Sequence, residues 1–256
     1  MRAQLKIPIE GRPTSATRRI AALESRRGSL ATTAYTQIRD EILRGTFAIG
    51  DILSRRRLAE LLNMSFVPIT EALQRLEAEG LVESRPRIGT RVRVPTEEDI
   101  RGTYVIREAL EVQSARLCAV NITASEKKQL RKSADHLDQL YQAGQSAVDP
   151  LFLFSVHTYH MQFHMRIAEL ARCPGLSVAI EKEQVLVFNW LYDTTANRTV
   201  SPPNFHAKLA AAICSGNILK ADEAMRAHIQ YGFEQVLERF SNVKLSNAWR
   251  SRSADS

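Results

Sequence analysis

The stretch His157-Thr158-Tyr159-His160-Met161-Gln162-Phe163-His164 carries three of the chain's six histidines. His160 and His164 are four apart, so on a helix both imidazoles leave the same face, with His157 close to that side. Such a pair can chelate one cation. It also arises by chance and inside apolar cores, and the spacing alone leaves both readings open.

Two further histidines enter through the symmetry of a turn. His206 and His228 average to position 217, where Gly216-Asn217 separates two helical periodicities. In an antiparallel helical hairpin, residues equidistant from the turn lie level with each other. Each fits an inward stripe: Leu209, Ala210 and Ile213 follow His206, and Ala224, Met225, Ile229 and Phe233 flank His228. Four unrelated buried imidazoles would each need a separate hydrogen-bond partner. One shared divalent cation satisfies all four, and nitrogen donors favour Zn²⁺ or Ni²⁺ over Mg²⁺ or Ca²⁺.

The elements that must position these rings follow from periodicity. Residues 96–241 are helical almost throughout, with helices expected at 97–119, 125–143, 149–171, 175–195, 201–215 and 218–240. The breaks are Asn121-Ile122-Thr123, Gly144, Cys173-Pro174-Gly175, Ser201-Pro202-Pro203 and Gly216-Asn217. Short connections between six helices imply an antiparallel bundle. Residues 242–256 read as a frayed polar tail. Asn189, Trp190 and Tyr192 are candidate pocket walls, although aromatic residues at helical spacing also serve plain packing.

Ahead of the bundle the pattern changes. Residues 1–28 mix Pro, Gly, Ser, Thr and Arg without a lasting apolar period and read as a flexible basic arm. Within 29–95, a helix from Thr32 to Gly45, a short helix capped by Ser54 and a third capped by Ser65 with Pro68 in its first turn precede two short strands. The strands, 81–84 and 90–94, flank Arg85-Pro86-Arg87-Ile88-Gly89. Three helices and a basic hairpin make a winged helix-turn-helix, and the chain as a whole is mainly α.

Charge agrees with that division. Residues 1–95 hold 17 Lys+Arg against 10 Asp+Glu, whereas residues 96–256 hold 18 of each. A basic module joined to a neutral one implies a polyanionic partner for the first. In a helix-turn-helix the second helix of the motif enters the major groove. The readers would be Ser65, Phe66, Val67, Thr70, Gln74 and Arg75, with Arg55, Arg56 and Arg57 before them and Arg87 and Arg91 on the wing. Arginine suits this task because its planar fork binds phosphate or guanine bidentately.

Three scattered cysteines without a CxxC pair argue against a disulfide framework, no apolar run of membrane-spanning length occurs, and a cytoplasmic protein is expected.

Ile42-Leu43-Arg44-Gly45, Ile49-Gly50-Asp51, Leu58-Ala59-Glu60-Leu61-Leu62-Asn63-Met64-Ser65, Pro68-Ile69-Thr70-Glu71-Ala72-Leu73, Glu79-Gly80-Leu81-Val82 and Gly89-Thr90 resemble the DNA-binding domain of GntR-family transcriptional regulators. The resemblance implies a DNA-contacting arginine at Arg56. It departs at Phe66 and Thr70, where the family usually carries arginine. Losing an arginine from the reading surface removes on the order of 1–3 kcal/mol of base discrimination. An unusual operator is therefore expected, with Phe66 and Val67 meeting thymine methyl groups.

The bundle resembles the FCD ligand-binding domain, and its six helices are closer to the VanR type than to the seven-helix FadR type. The resemblance implies metal ligands at His164, His206 and His228, with His160 standing where the family has aspartate. It also implies that Arg107 binds an effector carboxylate beside the metal; Glu111, one turn on, and Asn189, as a pocket wall, complete the candidate effector-binding set. The competing reading makes Arg107 and Glu111 an exposed i,i+4 ion pair.

The combined expectation is a homodimeric regulator that binds double-stranded operator DNA and responds to a small organic acid held near Zn²⁺ or Ni²⁺. A metal-dependent hydrolase is the rival class, since four histidines can activate water. It has no general base paired with the set and leaves the basic module unexplained. A constitutive DNA binder with a purely structural metal is the third reading.

Overall fold

The computed structural model describes residues 15–85, 89–144, 149–192 and 202–253, and within them all side chains except those of 15–28, 150–151, 184–192, 239 and 241–253.

The first helix, α1 (Ser15–Leu43), buries Ala34, Ile38 and Ile42 and ends at Gly45, whose φ of 75° a side-chain-free residue tolerates. Half of the expected irregular arm is thus helical. A helix anchored by its packed C-terminal half propagates cheaply through Ala21, Ala22, Leu23 and Glu24, all strong helix formers.

After strand β1 (Ile52–Leu53), Ser54 accepts from the Arg57 N–H at 3.4 Å and starts α2 (Arg55–Leu62). Asn63 at φ 50° terminates it. Helix α3 (Phe66–Ala78) buries Pro68, Ile69, Ala72, Leu73 and Leu76. Ser65 holds the cap position, but its side chain makes no cap bond, contrary to expectation. Pro68 has already removed the N–H that an N-cap side chain commonly meets.

Strands β2 (Val82–Arg85) and β3 (Gly89–Val92) pair antiparallel, with Val82 opposite Val92 and Ser84 opposite Thr90. The wing is a three-stranded sheet of order β1-β3-β2 rather than a hairpin, because Ile52 and Leu53 join its edge. A two-residue strand carries no alternation from which to read it.

Six helices follow: α4 (Glu97–Asn121), α5 (Ala124–Gly144), α6 (Pro150–Leu170), α7 (Pro174–Tyr192), α8 (Phe205–Cys214) and α9 (Ile218–Ser253). Thr96 and Asp99 form a reciprocal capping box at the start of α4. This helix packs against α6, α7, α8 and α9, so its Ile100, Ala115 and Cys118 lie at the centre of the core with Phe163, Ile167, Leu209, Ile213 and Ile229. Complete burial of each large apolar side chain contributes about 1.5–3 kcal/mol.

The expected fraying beyond residue 240 is corrected: α9 runs to Ser253, as no Gly or Pro interrupts it after Gly232. Among the described residues no helix is long and apolar enough to cross a membrane.

The two modules meet on α6. Phe154 and Met161 of that helix pack against the winged-helix core, the Arg44 guanidinium lies 5.8 Å from the Phe154 ring centre, and Ile49 touches both cores.

Candidate metal centre and reading face

Residues one turn apart on α6 bring His160 Nε2 within 2.9 Å of His164 Nε2, and the latter lies 3.0 Å from His228 Nε2 on α9. His206, at the first turn of α8, completes the group: one ring nitrogen each of His160, His206 and His228 lies within 4.8 Å of the others. The rings of His206 and His228 are 5.2 Å apart, as their level placement across the hairpin required. His164, His206 and His228 are buried and His160 is partly so.

Carboxylates fix the tautomers from outside. Glu111 Oε2 sits 2.5 Å from His164 Nδ1, and Asp138 Oδ1 sits 2.7 Å from His206 Nδ1. Burial alone would raise the Glu111 carboxyl, but the Arg107 charge and His164 outweigh it and hold it at about 2. Burial likewise opposes ionisation of Asp138, and the His206 ring with the His206 and Ala207 N–H groups reverses that, holding it below the usual carboxylate range. Both acids are therefore charged acceptors for the Nδ1–H of their histidines, which turns each Nε2 inward.

Tyr141 Oη is 2.8 Å from His160 Nδ1, and its ring stacks on His206 at 5.2 Å. Burial, followed by the neighbouring imidazoles, keeps His160 and His228 well below their ordinary pKa, and burial outweighs Asp138 to lower His206. Neutral imidazole is the ligand form.

Among the described residues, hydrogen bonds do not satisfy this set. His164 Nε2 has a single lone pair but two histidine nitrogens at bonding distance, and His206 Nε2 and His228 Nδ1 are buried without partners. Metal–nitrogen bonds of about 2.1 Å place neighbouring donors roughly 3.0–3.4 Å apart. The spacings of 2.9 and 3.0 Å around His164 match that separation, whereas the nitrogens of His160, His206 and His228 come only within 4.8 Å of one another and would have to draw together on an ion. His157 stands about one turn before His160.

Arg107 and Glu111 of α4 are 7% and 2% exposed, joined at 2.8 Å, so they are not the surface ion pair of the competing reading. Burial disfavours the Arg107 charge, yet Glu111 and then Tyr104 raise its pKa. Arg107, Glu111 and His164 thus form one continuous line into the histidine cluster. Ser114 Oγ, next on the same face of α4, is buried without a partner among the described residues. The side chains of Asn189, Trp190 and Tyr192 lie outside the described residues.

Asp138, Tyr141 and the orphaned Ser114 hydroxyl were not singled out by sequence reasoning. The i,i+3 spacing of Asp138 and Tyr141 among the inward residues Ala134 and Leu137 was the available signal.

On the reading face, Ser65, Phe66, Val67 and Gln74 of α3 are exposed and Thr70 is partly so. Arg55, Arg56 and Arg57 are exposed at the start of α2, with Arg56 paired to Glu60 at 3.1 Å. Arg91 pairs with Glu83 at 2.5 Å and Arg93 with Asp99 at 2.6 Å. Arg75 lies 3.7 Å from the Tyr35 ring centre and 3.5 Å from Glu79, which draws its guanidinium toward α1. Arg87 lies outside the described residues.

Comparisons with known proteins agree with this architecture. The family model described as bacterial regulatory proteins, gntR family, matches residues 30–92, and that of the FCD domain matches residues 102–231. The chain is 30% identical over 222 residues to the HTH-type transcriptional regulator Mce2R of Mycobacterium tuberculosis, covering 77% of this chain and 88% of the relative. It is 34% identical over 144 residues to a probable D-xylose utilization operon transcriptional repressor of Paenarthrobacter nicotinovorans, covering 55% of this chain and 62% of that one. The solved structure of McbR/YncC from E. coli superimposes with a TM-score of 0.68 at 20% identity, covering 82% of this chain and 98% of the other. A winged helix rich in exposed arginine, set ahead of an FCD bundle and matched by regulators rather than enzymes, leaves no place for the hydrolase reading. The chain belongs to the GntR family of bacterial transcriptional regulators, in the branch that carries an FCD domain.

Proposed function

We propose that the chain is a cytoplasmic homodimeric repressor whose hold on operator DNA is modulated by a small organic acid, bound beside Zn²⁺ or Ni²⁺ at His160, His164, His206 and His228. The observation that supports this reading is the convergence of four imidazoles whose inward nitrogens outnumber the hydrogen-bond partners they find among the described residues. Nitrogen donors without a carboxylate in the ligand set favour late first-row ions. Such an ion would supply an electrophilic centre for an effector carboxylate.

Arg107 and Ser114 support the effector half of the proposal. The first is a buried cation and the second a buried hydroxyl without a partner among the described residues, both on the face of α4 that carries Glu111. Helix α6 supplies the connection to DNA: His160 and His164 belong to the metal set, while Phe154 and Met161 on the same helix touch the winged-helix core. An acid that binds two positions of α6 with different affinity biases the reading heads by that difference. Repression is the sign carried by the printed name of the Paenarthrobacter relative.

The test is a gel shift on DNA flanking the chain's own gene, with metal-replete and chelator-treated protein and a panel of small carboxylates. At least one acid is expected to release the metal-replete complex. Binding that neither chelator nor any acid changes would leave only a constitutive DNA binder.

A further inference from the structure

We infer that α3 reads its operator through thymine methyl groups and adenine edges rather than through guanine. This rests on the DNA-binding role of the family and not on the metal proposal.

Phe66 and Val67 are 57% and 44% exposed in the first turn of α3, the turn that meets base edges in this motif. At about 100° per residue, Phe66, Thr70, Gln74 and Val67 fall on one contiguous face. Thr70 Oγ1 donates to the Phe66 carbonyl at 2.8 Å, so its proton is used within the helix. The single arginine of α3 is Arg75, and Tyr35 and Glu79 engage it on the α1 side. What remains on the reading face is apolar surface, one primary amide and the Ser65 hydroxyl at its edge, with no cation.

Each part has a counterpart in the major groove. The thymine C5-methyl is its one apolar group, and a glutamine amide matches adenine N6 and N7 bidentately. Both belong to A·T pairs. Guanine O6 and N7 are matched bidentately by an arginine or lysine, which this face lacks. DNA is the occupant favoured for so apolar a surface because Arg55 and Arg57, exposed at the start of α2, make no ion pair among the described residues and flank it with positive charge. Phosphate contacts fix register and orientation, and α3 then reads the bases.

The experiment uses the full chain to select duplexes from a random library at fixed salt, and then replaces the selected thymines by uracil, which keeps the pairing but lacks the methyl. The expected half-sites carry A·T pairs at the steps facing α3, and each contacted methyl lost weakens binding about fourfold. Phe66→Ala is expected to bind the thymine and uracil duplexes equally at its step. Because Phe66 is on the surface, that variant keeps the core intact. Phe66→Arg is expected to draw guanine into the selected site. Selected half-sites centred on guanine, or equal affinity of the parent chain for thymine and uracil duplexes, would overturn the inference alone. Retention of no sequence whatever would overturn it together with the DNA-binding role on which it rests.

Discussion

One carboxylate oxygen, Asp138 Oδ1, accepts from both the backbone N–H and the ring Nδ1 of His206, at 3.0 and 2.7 Å. Its partner oxygen accepts the Ala207 N–H at 3.0 Å. Asn204, at φ 56°, makes no side-chain cap to α8, so an acid from α5 satisfies the exposed donors at that helix end and orients the ligand ring at the same time.

Replacing Asp138 should therefore separate two losses. Asp138→Asn is expected to weaken metal binding about 10–100-fold, because the amide no longer enforces the Nδ1–H tautomer. Asp138→Ala adds a stability loss of about 1 kcal/mol for the missing cap. Competitive metal titration and urea unfolding of the metal-free protein measure the two effects. Wild-type metal affinity in Asp138→Asn would remove the orienting role.

The buried pair Arg107–Glu111 gives a sharper stability signature. Glu111→Ala strands the Arg107 charge away from water and is expected to cost about 3–5 kcal/mol in urea unfolding. Replacing both by apolar residues of similar volume, as in Arg107→Met with Glu111→Leu, should recover most of that loss. Equal destabilisation by the single and double variants would contradict the assignment of a paired, desolvated charge.

Coupling between the modules is expected to run through α6. Met161→Ala and Phe154→Ala alter contacts with the winged-helix core and leave the four imidazoles in place. Metal binding should stay unchanged in stoichiometry, while most of the effector's influence on DNA affinity, expected at about 1–3 kcal/mol, disappears. Gel shifts with and without metal and acid check this, and an intact response in both variants would move the route elsewhere.

Asp99 provides a pH dependence at the junction of wing and bundle. Burial resists its ionisation, but the Thr96 N–H and hydroxyl and the Arg93 guanidinium prevail and hold its pKa below the ordinary value. A depressed folded pKa means that its stabilising contribution is fully present above the unfolded value of about 3.9 and lost as pH falls through the folded value. Asp99→Asn should melt below the parent at pH 7, and the gap should narrow from about pH 4 downward. A gap independent of pH would contradict the ionic account.

Much of this site was legible in the chain because its rules are local. The i,i+4 spacing of His160 and His164 needs only a helix, and the equal distances of His206 and His228 from Gly216-Asn217 need only a hairpin. Asp138 and Tyr141 escaped notice since their role depends on how α5 sits against α6 and α8, which no sequence period encodes. Strand β1 is too short to alternate. The orientation of Arg75 is decided by Tyr35, 40 positions away in the chain, through a contact of 3.7 Å. The pairing of Arg107 with Glu111 was readable, whereas its burial follows from α4 lying in the middle of the bundle.

X-ray absorption at the metal edge of zinc- or nickel-loaded protein tests the central claim most directly. One ion per chain is expected, with four imidazole nitrogens at about 2.0–2.1 Å for zinc, and His164→Ala should lose one of them with a large drop in affinity. Substoichiometric metal, or an ion whose shell contains no imidazole and does not change in His164→Ala, would contradict it.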